Sequence, residues 1–298
     1  MQRIFLAGER GQLARAAARI YAARGDAIVC AGRSTTDVTD RTAVASAVAT
    51  FRPDLVVNSA AYTAVDRAED EADEAFRVNC DGAANLAAAA RAANVPIIHI
   101  STEYVFDGTN PNPYREDDAP HPLGVYGRSK LAGEQAVAAE AAHHVILRTS
   151  WVVGPDGKNF LTTMLRMAGE RDEIDVVDDH WGCPTFASDL AAAVATVGDK
   201  LISTRERSRL AGIYHASGAG ETTWCRFARA IMAGSAARGG PRCRIRAIAT
   251  GQYPTRARRP ANSRLDCSKL LADFGVRFPD WTVALDACLD RMLTQSVP

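Results

Sequence analysis

The sequence lacks an excess of charge, a paired-cysteine motif and a long apolar run. Its 298 residues include 35 basic and 35 acidic side chains, so the formal net charge is zero. That balance argues against a globally basic nucleic-acid binder. No stretch approaches the roughly 18 apolar residues of a membrane span. With a mean hydropathy of −0.13, these absences predict a soluble globular protein whose partners include neither nucleic acid nor membrane.

Cysteine is present without a pattern. The seven cysteines form no Cys-x-x-Cys pair and no Cys/His metal spacing, and an odd number without a framework is typical of reduced thiols in the cytoplasm. The first apolar run, residues 4–7, is too short for a secretory signal. We therefore expect a cytoplasmic protein without a bound metal. Cys183, next to Pro184, is the cysteine that stands in a candidate site motif.

Short apolar runs alternate with alanine-rich stretches along the first half of the chain. Strands are predicted at residues 4–7, 27–30, 55–57, 97–100 and 145–147, and helices at residues 12–24, 41–51, 72–93 and 129–142. Continuous apolar runs suit strands that are buried on both faces, and strands separated by helices form right-handed βαβ units. The sequence predicts an α/β fold with a doubly wound parallel sheet, Rossmann-like, in residues 1–150.

Strands and helices no longer alternate regularly after residue 150. Helices are predicted at residues 160–169, 188–197, 223–237, 268–274 and 281–293, and strands at residues 213–216 and 245–249. The chain has no long linker and no internal repeat. We expect residues 151–298 to form a smaller, mainly substrate-binding domain that packs against the first, with room for segments that cross back to it.

A glycine motif follows the first predicted strand and opens the first helix: Gly8-Glu9-Arg10-Gly11-Gln12-Leu13-Ala14. Glycine there permits a tight turn and lets backbone N–H groups approach a pyrophosphate at the helix N-terminus. The pattern is GxxGxxA rather than GxGxxG. Its position predicts that residues 1–150 form a dinucleotide-binding domain, and an ordinary strand–helix turn is the alternative.

A residue that follows the second predicted strand helps to distinguish NADP from NAD as the bound dinucleotide. Arg33 stands where NAD-selective folds usually carry Asp or Glu, and an arginine favours the 2′-phosphate of NADP. Asp37 and Asp40 follow, and one of them is a candidate to face the adenosine. We expect NADP(H) in preference to NAD(H), with a solvated loop arginine as the alternative.

Tyr126 and Lys130 stand four residues apart, a spacing that puts both on one face of a helix. A lysine ammonium near a phenol favours the phenolate and lowers its pKa from about 10, which makes Tyr126 a usable proton donor near neutral pH. Thr102 ends the fourth strand, at the edge where parallel sheets bind ligands. The sequence predicts that these three side chains are catalytic; a chance YxxxK on a surface helix is the alternative.

Five longer motifs accompany this set. With them the sequence resembles the extended branch of the short-chain dehydrogenase/reductase superfamily and, within it, the dTDP-4-dehydrorhamnose reductases, from about residue 3 to residue 292. The motifs are VNSAAYTAVDRAE at 57–69, STEYVFDG at 101–108, RTSWV at 148–152, GCPT at 182–185 and RPANSRLD at 259–266.

The resemblance implies reduction of the C4 ketone of dTDP-4-dehydro-L-rhamnose to dTDP-L-rhamnose, with hydride from a nicotinamide. It implies that Tyr126 donates the proton, that Lys130 tunes Tyr126 and holds the nicotinamide ribose, and that Thr102 contacts the substrate. Trp151 matches a substrate-contacting tryptophan, and a core tryptophan is the alternative. The positions that match cofactor contacts, with the turn glycine, are Gly8, Gly11, Gln12, Leu13, Asp37, Val38, Ala60, Ala61 and Tyr62.

Three positions depart from the family pattern. Glu103 stands where the family usually has Asp, which shifts an expected substrate contact by one methylene. His180 replaces the usual Gln, and it either alters a substrate hydrogen bond or is a satisfied loop histidine. Ala16 stands where some members carry a glutamate that binds magnesium at a dimer interface. We therefore expect no magnesium-bridged dimer, and a monomer or a weak homodimer instead.

Other functions share parts of this machinery. A dehydratase of the superfamily normally follows its threonine with an Asp-Glu pair, whereas Glu103 and Tyr104 follow Thr102 here, so reduction is favoured. A sugar-nucleotide epimerase uses the same tyrosine and lysine and stays an alternative. A non-catalytic, NADP-binding regulatory subunit is a second alternative, against which the intact catalytic set argues.

The zero net charge conceals an asymmetry. Residues 205–264 contain 13 arginines, no lysine and two acidic residues, a net charge of +11 that the remainder of the chain balances. One interpretation is charge complementarity between parts of the molecule. The other is a field that helps to capture a diphosphate sugar, with Arg259 as the first candidate for a substrate-binding residue.

Overall fold

The computed structural model describes residues 1–293. The strands are β1 (Arg3–Ala7), β2 (Ala27–Ala31), β3 (Leu55–Asn58), β4 (Ile97–Thr102), β5 (His144–Thr149), β6 (Val152–Val153), β7 (Glu173–Val177), β8 (Trp181–Gly182), β9 (Thr185–Phe186), β10 (Gly212–His215), β11 (Thr222–Thr223) and β12 (Arg244–Ile248). The helices are α1 (Gln12–Ala23), α2 (Arg41–Phe51), α3 (Val65–Ala68), α4 (Ala72–Phe76), α5 (Gly82–Ala92), α6 (Val125–Glu140), α7 (Phe160–Ala168), α8 (Ala187–Ser203), α9 (Trp224–Ala237), α10 (Ser268–Phe274) and α11 (Trp281–Leu293).

Six strands form a central sheet in the order β10-β5-β4-β3-β1-β2, and all of its pairings are parallel. Helices cover both faces, which explains why the strands read as continuous apolar runs. On one face Leu6 belongs to the same apolar cluster as Leu190 of α8, and on the other Phe5 belongs to the same cluster as Leu86 of α5. The predicted Rossmann-like sheet is confirmed.

The chain returns to this sheet after residue 150. β10 pairs with β5, and α8 packs along α1. A separate apolar cluster joins α7, α9 and α11 to the two-stranded ribbon of β7 and β12. The strand β7 has no counterpart among the predicted elements, because its central acid at Asp175 interrupts the apolar run. Within residues 1–293, no helix is both long and apolar enough to cross a membrane.

The helix that carries Tyr126 begins four residues before its predicted start. Its first N–H, that of Val125, donates to Glu69 Oε1 at 2.8 Å, which satisfies one of the donors that a helix N-terminus leaves open. Because this acceptor lies 56 residues away in the chain, the local sequence does not reveal it. Tyr126 therefore lies in the first turn of α6 and Lys130 in the next.

The predicted helix at 72–93 is continuous, but one of its turns is π-helical instead of α-helical. A π-helical turn, Arg77–Asp81, connects α4 to α5. Within it Asn79 accepts the Tyr62 N–H at 2.8 Å and donates to Ser129 Oγ of α6 at 2.9 Å. Gly133 of α6 lies so close that a Cβ there would be 2.1 Å from the Asn79 carbonyl oxygen. The turn thus joins the loop after β3 to α6.

Candidate active site

The turn between β1 and α1 is built for close backbone approach. Gly8 has a φ of +108°, and a Cβ at this position would lie 2.9 Å from the backbone nitrogen of Ala60. The Gly11 N–H donates to the Gly8 carbonyl at 2.8 Å and closes the turn. The first N–H groups of α1 are left free to bind an anion. The tight turn expected from the glycine motif is therefore present.

Two cavities share the wall formed by this turn and the loop after β3. One, of about 480 Å³, reaches Arg33, Asp37 and Val38. The other, of about 620 Å³, reaches Thr102, Tyr126 and Lys130. Residues Gly11 and Ala61 line both cavities. Two adjoining spaces on either side of a glycine turn fit the two halves of a dinucleotide.

The smaller cavity contains most of the predicted cofactor residues. The Arg33 side chain is 75% exposed and lies 3.3 Å from Glu74 Oε1. Asp37 accepts the N–H and the hydroxyl of Thr39, and these bonds lower the pKa of its carboxyl. Gly8 and Ala60 also line this space. An exposed arginine at its rim is available for a 2′-phosphate.

Tyr62 departs from this arrangement. Its side chain is buried, and its hydroxyl donates to Glu71 Oε2 at 2.6 Å. The residues on either side of it, Ala61 and Thr63, line the cavities, but Tyr62 itself does not. Its packing therefore supports the loop rather than presenting the phenol to a ligand.

The larger cavity brings the predicted catalytic residues together. Thr102 at the end of β4 meets Tyr126 and Lys130 of α6 in one wall. The other residues with predicted cofactor or substrate roles that line the same space are Gly11, Gln12, Leu13, Ala61, Glu103 and Trp151. Residues far apart in sequence thus converge where the parallel strands end, as the sequence analysis predicts.

Lys130 is almost completely buried. Its Nζ donates to the Ile100 carbonyl at 2.7 Å and lies 3.4 Å from Nε2 of His99. Burial lowers the pKa of the ammonium to about 8, and the nearby carboxylate of Glu134 opposes that change. Lys130 is therefore held in one position and remains mostly charged at neutral pH.

The pKa of Tyr126 moves in the opposite direction from the prediction. Burial is the main cause that raises the pKa of the phenol, and the carboxyl of Glu103 raises it further. Thr102 acts in the opposite direction and lowers this pKa. The expected lowering by Lys130 is wrong because the Lys130 Nζ is directed at the Ile100 carbonyl and His99. Tyr126 is consequently protonated at neutral pH, which is the state that a proton donor requires.

Glu103 lies in the wall of the same cavity, with a side chain that is only 3% exposed. Its Oε2 accepts the Thr102 hydroxyl at 2.7 Å. Burial raises the pKa of its carboxyl to about 7, although hydrogen bonds from Thr102 and the Trp151 N–H oppose this. The structure thus pairs Glu103 with Thr102, a contact that the sequence analysis missed.

Trp151 sits in a strained position. Its φ of 46° lies in the left-handed region, which a bulky side chain rarely adopts. Its ring stacks on Trp224 with centroids 3.6 Å apart, and a Cβ at Gly182 would be 2.3 Å from the same ring. The glycine of the GCPT motif therefore makes room for the tryptophan. No local sequence signal points to Trp224.

A third cavity, of about 770 Å³, borders the catalytic one and shares Tyr104, Phe160 and Trp224 with it. Arg259 lines it and pairs with Asp66, with Nη2 and Oδ2 2.7 Å apart. His180 lines it too and is 2.8 Å from the Thr250 hydroxyl. His180 is therefore a hydrogen-bonded loop histidine that also faces a cavity.

Cys183 and Ala16, two positions that the sequence singles out, are both buried. Burial raises the pKa of Cys183 to about 12, so this thiol stays neutral. Ala16 lies on the buried face of α1, within the apolar core. Among residues 1–293, no group of three His, Cys, Asp or Glu side chains could hold a metal ion.

A parallel sheet with a glycine turn and two adjoining cavities is the architecture of a dinucleotide-dependent oxidoreductase. The sequence model described as the RmlD substrate binding domain matches residues 1–294. The chain belongs to the dTDP-4-dehydrorhamnose reductase family. The resemblance on which the sequence analysis relied is confirmed.

Relatives cover nearly the whole chain. The dTDP-4-dehydrorhamnose reductase of Sinorhizobium fredii is 48% identical over 94% of both chains, and that of Escherichia coli K12 is 40% identical over 98% of both. The crystal structure of a dTDP-4-dehydrorhamnose reductase from Clostridium acetobutylicum matches with a TM-score of 0.90, at 33% identity over 97% of this chain and 99% of that one. The Bacillus anthracis enzyme in complex with NADP gives a TM-score of 0.89, at 34% identity and the same coverage.

Proposed function

We propose that this chain reduces the C4 ketone of dTDP-4-dehydro-L-rhamnose to dTDP-L-rhamnose, with NADPH, or NADH, as reductant. The observation that carries the proposal is the convergence of Thr102, Tyr126 and Lys130 in a cavity that adjoins the glycine turn. The bound nicotinamide supplies a hydride to the ketone carbon. The residues of this chain supply the proton and the positioning.

The state of each buried group suits a reductase. Tyr126, neutral because burial and Glu103 raise its pKa, donates its proton to the C4 oxygen as negative charge develops there. Lys130, fixed by the Ile100 carbonyl, holds the nicotinamide ribose. Thr102 positions the sugar at the end of β4. Burial excludes water, which strengthens each of these interactions.

The substrate extends from the catalytic cavity into its neighbour. The stacked rings of Trp151 and Trp224 form an apolar wall where the cavities meet, suited to a deoxysugar or a base. Arg259 lies beyond that wall, where a guanidinium can bind a diphosphate. We assign dinucleotide binding mainly to residues 1–150 and substrate binding mainly to residues 151–298.

We further propose that the enzyme works in the cytoplasm as a monomer or a weak homodimer. All seven cysteines are free thiols in the structure, which supports a reducing compartment. Size-exclusion chromatography with light scattering tests the oligomeric state. A stable assembly larger than a dimer would contradict this part of the proposal.

The activity is tested with enzymatically prepared dTDP-4-dehydro-L-rhamnose and the loss of NADPH absorbance. Tyr126→Phe is expected to lower kcat by about 10²- to 10⁴-fold while the Kd for NADPH stays unchanged, because only the transferred proton is lost. Tyr214→Phe is the matched control, since its hydroxyl bonds Leu210 and Asp273 outside the cavity. A wild type that consumes no NADPH contradicts the proposal, and product analysis separates reduction from epimerisation or mere cofactor binding.

A further inference from the structure

Three oxygen-bearing side chains form a row inside the catalytic cavity. The carboxyl of Glu103 accepts the Thr102 hydroxyl at 2.7 Å. Thr102 lines the same cavity as Tyr126 and is near enough to its phenol to lower its pKa. The Tyr104 N–H donates to Thr102 Oγ1 at 3.2 Å and helps to fix this hydroxyl between its two neighbours. Thr102 and Glu103 are 4% and 3% exposed. Both side chains are therefore largely buried and reach solvent only through the catalytic cavity that they line.

The surroundings of Glu103 favour its protonated form. The ionisable groups that face it are the phenols of Tyr104 and Tyr126, and neither is a cation. The nearby cations bond other groups: Lys130 donates to the Ile100 carbonyl, and Arg259 pairs with Asp66. A buried carboxyl without a cationic partner keeps its proton to a higher pH, and burial raises the pKa of Glu103 to about 7.

We propose that Glu103 stores the proton consumed in each turnover and passes it through Thr102 to Tyr126. This role rests on the proposed reduction and extends it. Glu103 does not contact the reacting oxygen; it acts through Thr102. When Glu103 holds a proton, the 2.7 Å contact reverses: the carboxyl donates to Thr102 Oγ1, and the Thr102 hydroxyl is free to donate to the phenolate of Tyr126.

The transfer moves protons only. The Tyr126 O–H bond breaks as the C4 oxygen of the sugar gains a proton. The Thr102 O–H bond then breaks as the Tyr126 phenolate is protonated, and the Thr102 oxygen takes the proton of Glu103, which becomes a carboxylate. The last step is downhill because a carboxyl with a pKa of about 7 is a stronger acid than a phenol. Glu103 lines the catalytic cavity, so water that enters this cavity after the product leaves reprotonates it.

The first test uses the ligand-free protein and infrared spectroscopy. Wild type is expected to show the C=O stretch of a protonated carboxyl that disappears as the pH rises through about 7. Glu103→Gln should lack this band, and Glu103→Asp should retain a titrating one. Glu206→Gln, which changes an exposed carboxylate paired with Arg209, should match wild type. A fully ionised Glu103 at pH 6 overturns the proposal.

The second test follows a single turnover in weak buffer at pH 6 with a pH-indicator dye. In wild type, proton uptake from solvent should lag behind the loss of NADPH absorbance, because the stored proton is used first. In Glu103→Gln the two signals should coincide, with a rate lowered by about 10-fold or more. Simultaneous signals in wild type overturn the proposal.

The pH profile separates proton storage from simple substrate contact. The wild-type kcat should fall as the pH rises through about 7, because Glu103 loses its proton there. In Glu103→Gln this fall of kcat should be absent. Any fall near pH 8 that Lys130 causes should remain. Glu103→Asp should restore part of the fall of kcat near pH 7. A raised KM with an unchanged pH profile identifies a substrate contact and overturns the proposal. A wild type that consumes no NADPH contradicts the reductase function instead, and the infrared result still decides whether Glu103 holds a proton.

Discussion

At the scale of single residues, burial controls the chemistry of the site. It raises the pKa values of Tyr126 and Glu103 and lowers that of Lys130. His99, enclosed behind Lys130, has a pKa far below its usual range for the same reason. The spacing of Tyr126 and Lys130 predicts a shared helix face but not the Ile100 carbonyl that binds the ammonium. The direction of the tyrosine pKa therefore depends on contacts between elements.

The raised pKa of Glu103 has a consequence for stability. The pKa is about 7 in the folded protein and 4.5 as the ordinary value, so the stabilisation from binding this proton is full below pH 4.5 and lost as the pH rises through 7. Relative to Glu103→Gln, wild type should lose on the order of 3 kcal/mol of unfolding free energy between pH 4.5 and pH 8. Urea unfolding at several pH values measures this. Parallel pH dependences of the two proteins would refute it.

Arg259 provides a second prediction at this scale. Its guanidinium faces the cavity assigned to the nucleotide sugar and is partly neutralised by Asp66. Arg259→Glu should raise KM more than it lowers kcat, because it removes an attraction present before and during the reaction. Arg242→Glu, an equal charge change at an exposed residue outside that lining, is the control. A loss confined to kcat would count against a binding role.

At the scale of elements, α6 is fixed in rotation by a buried ion pair. Arg148 of β5 makes two bonds to Glu134 of α6, at 2.9 and 2.6 Å, and both side chains are 2% exposed. Ser101 of β4 donates to the same carboxylate. Glu134 lies one turn after Lys130, and Ser101 precedes Thr102. The pair therefore sets how the catalytic residues of α6 meet the end of the sheet.

Removing one partner of this pair should be costly. Glu134→Gln or Arg148→Met leaves a buried charge without its partner, which costs about 3–5 kcal/mol of unfolding free energy. The double variant Glu134→Met/Arg148→Met should cost less than the sum of the single changes. A double-mutant cycle from denaturant unfolding checks this. Additive effects would show that the two side chains do not stabilise each other.

At the scale of the whole molecule, the two parts of the chain share one sheet and balance each other's charge. Arginines of the basic segment pair with acids elsewhere, as Arg259 does with Asp66, Arg246 with Asp175 and Arg238 with Asp290. Arg244 pairs with Glu173 and Arg256 with Asp70, which also lie outside the segment. Much of the +11 charge is therefore neutralised by neighbours, which supports complementarity between parts over a strong field.

The shared sheet predicts that the first 150 residues do not fold alone. A chain that ends there lacks β10 at the edge of the sheet and α8 over α1, so Leu13 and Ala17 would lose the helix that covers them. We expect no cooperative thermal unfolding of this fragment by circular dichroism, whereas the full chain unfolds cooperatively. A fragment with a sharp transition and native helix content would contradict the prediction.

Local sequence patterns were enough to predict the parallel sheet, the glycine turn and the grouping of Thr102 with Tyr126 and Lys130. Those features follow from local periodicity, from glycine's conformational freedom and from the rule that parallel strands end at a common edge. The first residue of α6, the side chains whose pKa values rise and the ring that stacks on Trp151 could not be predicted from those patterns. Each of these depends on a partner distant in sequence, such as Glu69, Ile100 or Trp224, and on burial that arises only when the elements pack.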